Sequence, residues 1–363
     1  MRREIREKLN RLHDIYTPDR ITRSKERIRR LWHHEEPIDR LPFVLNPPDF
    51  SYYDDIYNPK EGLDRYLDTF IRRGIADDDF IPGFFTGCHM GAMPSLFGAK
   101  ELITGNDLSS TRLLTDKASV WALPEPQILP GTPAKNWLDA QRYYADETEG
   151  EVAVHICDMQ GPMDVCGQLW GYDNVLVSAY ENEDLYFFLM NRVTDGFLLL
   201  WNEQKRILGN TLIPTHLYTW DWVPSDNGAT LSADSLVMLS EDFFLRWYKG
   251  TLERISKEMG GITVHSCGDF TQVVQALCKV EGLRGINASQ MSAEQLIAAG
   301  AQRDLVYIFL CPFEKAKDAV QNSIAMRYRI QPTITGVWPA DYTGTGRALL
   351  QERVALLHEW FTP

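Results

Sequence analysis

Several features are absent from this 363-residue sequence, and each absence removes a class of explanation. No stretch is long and apolar enough to cross a bilayer. The most apolar long window, Leu185 to Trp201, is broken by Asn191, Arg192 and Asp195 and reads as a core helix. The opening Met1-Arg2-Arg3-Glu4 is followed by no apolar run, so it is not a signal peptide. The six cysteines, at 88, 157, 166, 267, 278 and 311, lack the close spacing of a secreted disulfide scaffold. A reducing cytoplasm fits these features best. No G-x-G-x-x-G follows any apolar run, which counts against a dinucleotide fold. Positive charge is in deficit: the formal charge is -13, whereas phosphate backbones call for a basic face, so nucleic acid is excluded as a partner. There is no internal repeat, low-complexity segment or linker.

What is present is an ordinary globular composition, 44% apolar and 24% charged. Ten Trp, sixteen Phe and fifteen Tyr promise a large core or an aromatic-lined cavity. The charge is uneven. Residues 1–38 carry eleven Lys/Arg against seven Asp/Glu. This basic segment is expected to be a solvated helix face. The alternative is docking on the acidic body, of its own chain or of a second subunit in a homodimer.

Apolar spacing predicts two leading helices, over residues 4–16 and 22–33, packed on a main domain. A rhythm then begins. Short apolar runs fall at 41–45, 80–85, 152–156, 211–217, 262–264, 283–287, 305–310 and 332–337. Amphipathic helices fall between them, at 61–73, 183–208, 241–258, 292–299, 314–323 and 346–360. The stretch from Thr86 to about Glu149 reads as a long functional loop with only short helical pieces, such as Asp116 to Trp121. Eight strands alternating with helices predict a (β/α)8 TIM-type barrel over residues 39–363, with residues 1–38 as an N-terminal helical extension. An open doubly wound sheet is the alternative.

The stretch Gly260-Gly261-Ile262-Thr263-Val264-His265-Ser266-Cys267-Gly268-Asp269 carries the sharpest chemistry. Residues at i and i+2 of a strand face the same side, so His265 and Cys267 can aim at one point. Imidazole and thiolate are zinc ligands, and a catalytic zinc keeps about three protein ligands and an open position. The alternative is a buried histidine beside a buried free cysteine. Cys311, ending its own strand before Pro312, is the first choice for a third ligand, with Glu314 or Asp221 as carboxylate substitutes. Gly268 permits a sharp turn and Asp269 a cap for a helix from Thr271.

In a barrel, sites gather at the C-terminal ends of strands. Those ends supply the remaining candidates. Asp221, Asn287 and Tyr342 are assigned to orienting the reacting groups. His155, Gln160, Trp220, Trp222, Gln290 and Trp338 are assigned to lining the substrate pocket, although for at least half of the aromatics core packing is the stronger expectation. His155-Ile156-Cys157 is a second H-x-C, read as packing or substrate lining. Cys88-His89 is read as lid or packing. A site of one Cys, one His and one more anionic ligand suits binding a thiol and holding it as a nucleophilic thiolate.

Three stretches resemble the uroporphyrinogen decarboxylase superfamily, and most closely its zinc-dependent cobamide (corrinoid) methyltransferases. They are Ser24-Lys25-Glu26-Arg27 through Trp32 with Glu36-Pro37-Ile38-Asp39-Arg40-Leu41-Pro42; Gln160-Gly161-Pro162-Met163; and Leu231-Ser232-Ala233-Asp234 through Leu239-Ser240-Glu241-Asp242-Phe243 with the His265-Ser266-Cys267-Gly268 block. The resemblance spans most of the chain. It implies a (β/α)8 barrel, zinc on His265 and Cys267 at the barrel mouth, and a corrinoid carried by a partner protein. Two departures stand out. The methyltransferases take a third ligand from a cysteine near the last strand, and Pro332 to Gly344 contains none. The decarboxylases carry an R-Q-A-G-R stretch near the N-terminus, and none is present here.

The function expected is therefore a zinc-dependent methyltransferase, moving a methyl group between a corrinoid or folate-like carrier and a thiol. The alternatives are a metal-free lyase acting on a tetrapyrrole or similar acid, and a non-catalytic corrinoid or tetrapyrrole binder.

Overall fold

The computed structural model describes residues 2–46, 57–87, 90–104, 107–216, 221–339 and 343–362. The expected Trp220, Asp341 and Tyr342, with Cys88 and His89, lie outside the described residues.

The strands are β1 (Val44–Leu45), β2 (Gly83–Phe84), β3 (Glu101–Thr104), β4 (Asp107–Ser110), β5 (Ala153–His155), β6 (Leu212–Ile213), β7 (Ala229–Ser232), β8 (Ile262–Ser266), β9 (Leu283–Ala288), β10 (Val306–Pro312) and β11 (Arg329–Thr335). They form a six-stranded sheet in the order β1-β11-β10-β9-β8-β7, a three-stranded sheet β2-β5-β6, and an antiparallel hairpin β3-β4. Every pairing in the two larger sheets is parallel. The fold is thus mixed α/β, with α-helices between most successive parallel strands. Strands β8 and β9 are buried almost throughout, which is why they read in sequence as short continuous apolar runs.

The N-terminal helices α1 (Arg3–Ile15) and α2 (Pro18–Trp32) are not a solvated appendage. Ile5, Leu9 and Leu12 are fully buried against Leu63, Tyr66 and Phe70, and each such side chain contributes roughly 1.5–3 kcal/mol. The basic residues dock on the acidic body of the same chain. Lys8 pairs with Asp68 at 2.9 Å and Arg2 with Glu147 at 3.3 Å. Arg27 and Arg40 share the buried Asp79 carboxylate, which also accepts the Phe43 N–H at 3.1 Å. At the end of α2 the Trp32 indole lies on Gly285, where a Cβ would sit 2.8 Å from the ring. Its N–H donates to Gln331 Oε1 at 2.7 Å.

The supposed loop of 86–149 is largely structured. It holds the hairpin β3-β4 and a helix, Pro133–Glu147, capped by Thr132 with Pro133 at its first position. Trp137, Leu138, Gln141 and Tyr144 form its buried face. Strand β7 was likewise not expected. Its Ala-Thr-Leu-Ser sequence has little apolar bulk, and neighbouring strands on the sheet hold it in place. The helix from Glu241 is interrupted by a π-turn, Phe244–Tyr248, before resuming to Met259. Among the described residues no helix is long and apolar enough to cross a membrane.

Candidate metal centre

Register places the site. Ser232, His265, Asn287, Ile308 and Gln331 are lateral neighbours across β7 to β11. Lateral neighbours in a parallel sheet point to the same side, so these residues form one row. His265 sits fully buried within that row and Cys267 lies two residues on, just past β8. Their ligand atoms, Nε2 and Sγ, are 3.4 Å apart, so the i, i+2 spacing does bring them together.

The third member is Asp234. It begins the 3-10 turn Asp234–Met238, directly after β7 and Ala233, whose N–H donates to His265 O at 2.7 Å. Asp234 Oδ1 lies 3.9 Å from His265 Nε2 and accepts the Cys267 N–H at 2.7 Å. One nitrogen, one sulfur and one oxygen donor lie within 4.8 Å of one another. His265 is fully buried, whereas Asp234 and Cys267 are half-buried, which leaves one side of the group open. This donor set fits zinc.

The surroundings fix the donors. The Asn287 amide donates to Ile308 O at 3.2 Å, which turns its oxygen toward His265. That oxygen accepts a hydrogen bond from the His265 Nδ1–H, so Nε2 carries the lone pair facing Cys267 and Asp234. The Ser289 hydroxyl donates to Cys267 Sγ at 3.6 Å. Gln290 Oε1 accepts the Gly268 N–H at 2.9 Å and holds the turn after the ligands. Burial, then the Asp234 charge, push the Cys267 thiol up to about 11. A bound cation opposes both effects.

A second polar cluster adjoins the first. His216 and His265 meet edge to face with ring centroids 6.3 Å apart. His216 Nε2 lies 3.1 Å from Asp158 Oδ1 and 3.0 Å from Ser232 Oγ, and the Ser232 hydroxyl donates to the same Asp158 oxygen at 2.6 Å. Burial lowers the His216 pKa to about 4. Of these, Asp158 is among the polar residues expected at the strand ends, whereas Asp234, His216 and Ser232 carry no site role in the sequence reading. Reading Ala229–Ser232 as a strand would have put Asp234 at a strand end, where ligands are sought.

Cys311 is placed elsewhere. It stands three residues beyond Ile308 on β10 and so points to the opposite side of the sheet. There it lines a groove of about 620 Å³ with Ala319 and Asn322 of the helix Phe313–Met326. Burial pushes its thiol up to about 12. Glu314 is exposed at the start of that helix. Asp221 is buried against β11, three strands from β8, accepting from Gln331 Nε2 at 3.1 Å and Thr333 Oγ1 at 3.3 Å. Among the described residues, none of these three joins the donor group.

The other expected pocket residues are dispersed. Trp222 lies against α2, with Lys25 Nζ 5.6 Å from its ring centroid. Trp338 is half-buried against the main core. Gln160 is buried beside Ser232, bound to Gln168 and Met90. His155 donates from Nδ1 to Thr215 O at 2.8 Å, and burial lowers its pKa to about 4. Cys157 accepts from Thr86 Oγ1 at 3.7 Å. His155 and Cys157 thus make separate contacts.

No protein-family model matches the sequence, and no curated protein matches it. Among solved structures, a methyltransferase from Methanosarcina mazei is similar, with a TM-score of 0.63 over 94% of this chain and 99% of that one. The two are 12% identical, so the likeness establishes a shared fold.

Proposed function

We propose that Asp234, His265 and Cys267 hold a zinc ion and that the chain is a methyltransferase with a thiol acceptor. The reading rests on one observation: three chemically different ligand atoms converge at the C-terminal ends of adjacent strands. When bound, zinc would lower the acceptor's pKa and hold it as a thiolate. The chain's own residues do the rest. Asn287 sets the His265 tautomer, Ser289 donates to the ligand sulfur, and the Asp158–His216 pair offers a buried polar wall beside His265.

The structural neighbour is titled a methyltransferase, which supports the reaction class. The methyl source in this reading is a corrinoid on a partner protein, or a folate-like donor, as in the cobamide methyltransferase branch. The same reading closes the strands into a (β/α) barrel. In its support, the Thr230 N–H donates to Pro214 O at 2.9 Å and ties β7 to the end of β6, while Asp78 and Asp79, just before β2, accept from the backbone of Leu45 and Phe43 beside β1.

A metal-free lyase for a multiply carboxylated substrate fits less well, because Asp158 and Asp234 flank the site and like charges repel. The test is zinc per chain in untagged protein and in Cys267→Ser. About one zinc per chain, lost in the variant, supports the reading. Methyl transfer from a methylated corrinoid to thiols is then the assay. No metal in either protein overturns it.

A further inference from the structure

The turn that carries Asp234 is braced from two sides by residues that touch none of the three donor atoms. Beneath it, Asp164 sits in the first turn of the helix Pro162–Trp170, buried to 2% exposure. Its Oδ1 accepts the Ser235 N–H at 2.7 Å and the Tyr172 hydroxyl at 3.3 Å. Tyr172 reaches it because Gly167 leaves room: a Cβ there would lie 2.4 Å from the tyrosine ring. On the outer side, the Gln272 amide donates to the carbonyls of Leu236, Val237 and Leu239 at 3.0, 3.2 and 3.1 Å. Every residue from Asp234 to Leu239 except Met238 is therefore tied by a side-chain hydrogen bond.

We propose that Asp164 and Gln272 are positioning residues of the metal group, holding the Asp234–Met238 turn so that its carboxylate meets His265 and Cys267. The inference rests on the reading that these three residues bind metal. The physical need is plain. His265 and Cys267 belong to a strand and its immediate exit, and the sheet holds them. Asp234 stands on an irregular turn with its side chain 37% exposed, and a ligand on such a turn must be held by other groups to be preorganised. A buried carboxyl next to another acid is costly. At Asp164 the Ser235 N–H and the Tyr172 hydroxyl offset part of that cost, so the burial and the brace on the turn come together.

The test is titration of metal-stripped, full-length protein with Co²⁺, read by the thiolate-to-cobalt charge-transfer band and the visible d–d bands. The proteins are wild type, Asp234→Ala, Asp164→Ala, Asp164→Asn and Gln272→Ala. Asparagine keeps the acceptor for Ser235, so Asp164→Asn binds as wild type. Asp164→Ala and Gln272→Ala lose on the order of 10–100-fold in affinity, and their d–d bands shift toward those of Asp234→Ala. Gln272 is exposed, so its variant folds even if Asp164→Ala does not. Wild-type affinity and spectrum in Gln272→Ala and Asp164→Ala, with Asp234→Ala weakened, would overturn the positioning role while leaving the metal reading intact. Wild-type protein that binds no cobalt would overturn both.

Discussion

Asn287 orients His265. The amide nitrogen of Asn287 is committed to Ile308 O at 3.2 Å, so its oxygen is the atom that meets His265 Nδ1, and Nε2 is left facing Cys267. Partners of this kind fix a histidine's tautomer and ring angle before any metal arrives.

Removing that partner should be felt in metal affinity more than in folding. Asn287→Ala is expected to weaken zinc binding about 10–100-fold, measured by competition with a chromophoric chelator. Asn287→Asp keeps an oxygen acceptor and should retain most of the affinity. Equal affinities in all three proteins would show that His265 needs no such partner.

The two cysteines at strand ends should behave differently. Cys267→Ser is expected to lose stoichiometric zinc. Cys311→Ser should keep it, with a stability cost of about 1 kcal/mol, because Cys311 faces the helical layer. Metal analysis of the two purified variants decides between Asp234 and Cys311 as third ligand.

Asp164 makes stability depend on pH. Burial, and then the Asp234 charge, raise its carboxyl to about 8. A carboxyl whose folded pKa lies above its unfolded value of about 3.9 binds more protons in the folded state, so stability falls as pH rises between those values. The contribution is fully present below pH ~4 and lost as pH passes through about 8. Asp164→Asn removes the titration. Urea unfolding of metal-stripped protein should show the variant gaining on wild type between pH 5 and pH 8, by up to a few kcal/mol. A constant difference across that range would rule out a buried titrating acid.

Asp79 fastens α2 to the body. Its carboxylate, 1% exposed, is shared by Arg27 and Arg40 and also accepts the Ser24 hydroxyl at 3.1 Å and the Phe43 N–H at 3.1 Å. Asp79→Ala strands two guanidinium groups and a backbone donor. The expected loss is about 3–5 kcal/mol, read by denaturant unfolding. A loss under about 1 kcal/mol would mean that the arginines find other partners.

Much of the layout was legible along the chain. The runs at 262–264 and 283–287 fall within β8 and β9, and the run at 305–310 overlaps β10, because buried parallel strands are continuous apolar runs bounded by turn residues. The helix Glu183–Leu208 was read to the residue, since its apolar face repeats over seven turns with a capping Asn182. Strand β7 and the helix Pro133–Glu147 were missed for opposite reasons. The first has too little apolar bulk to announce itself. The second lies among many Gly, Pro and Met residues, which mask its Thr132-Pro133 start.

The sequence by itself determined the pairing of His265 with Cys267. Strand period is a local property, and two residues at i and i+2 need nothing distant to face the same way. It also determined the alternation of parallel strands and helices, which follows from local patterning. The third donor was decided by tertiary structure alone. Cys311 has the better ligand chemistry on paper, yet its place in the β10 register, odd relative to Ile308, turns it toward the helices. Asp234 follows a strand that neighbouring backbone hydrogen bonds define, and it reaches the site only because β7 pairs with β8, Ser232 beside His265. Which side chains share a face across strands is set by register, and register depends on the whole sheet.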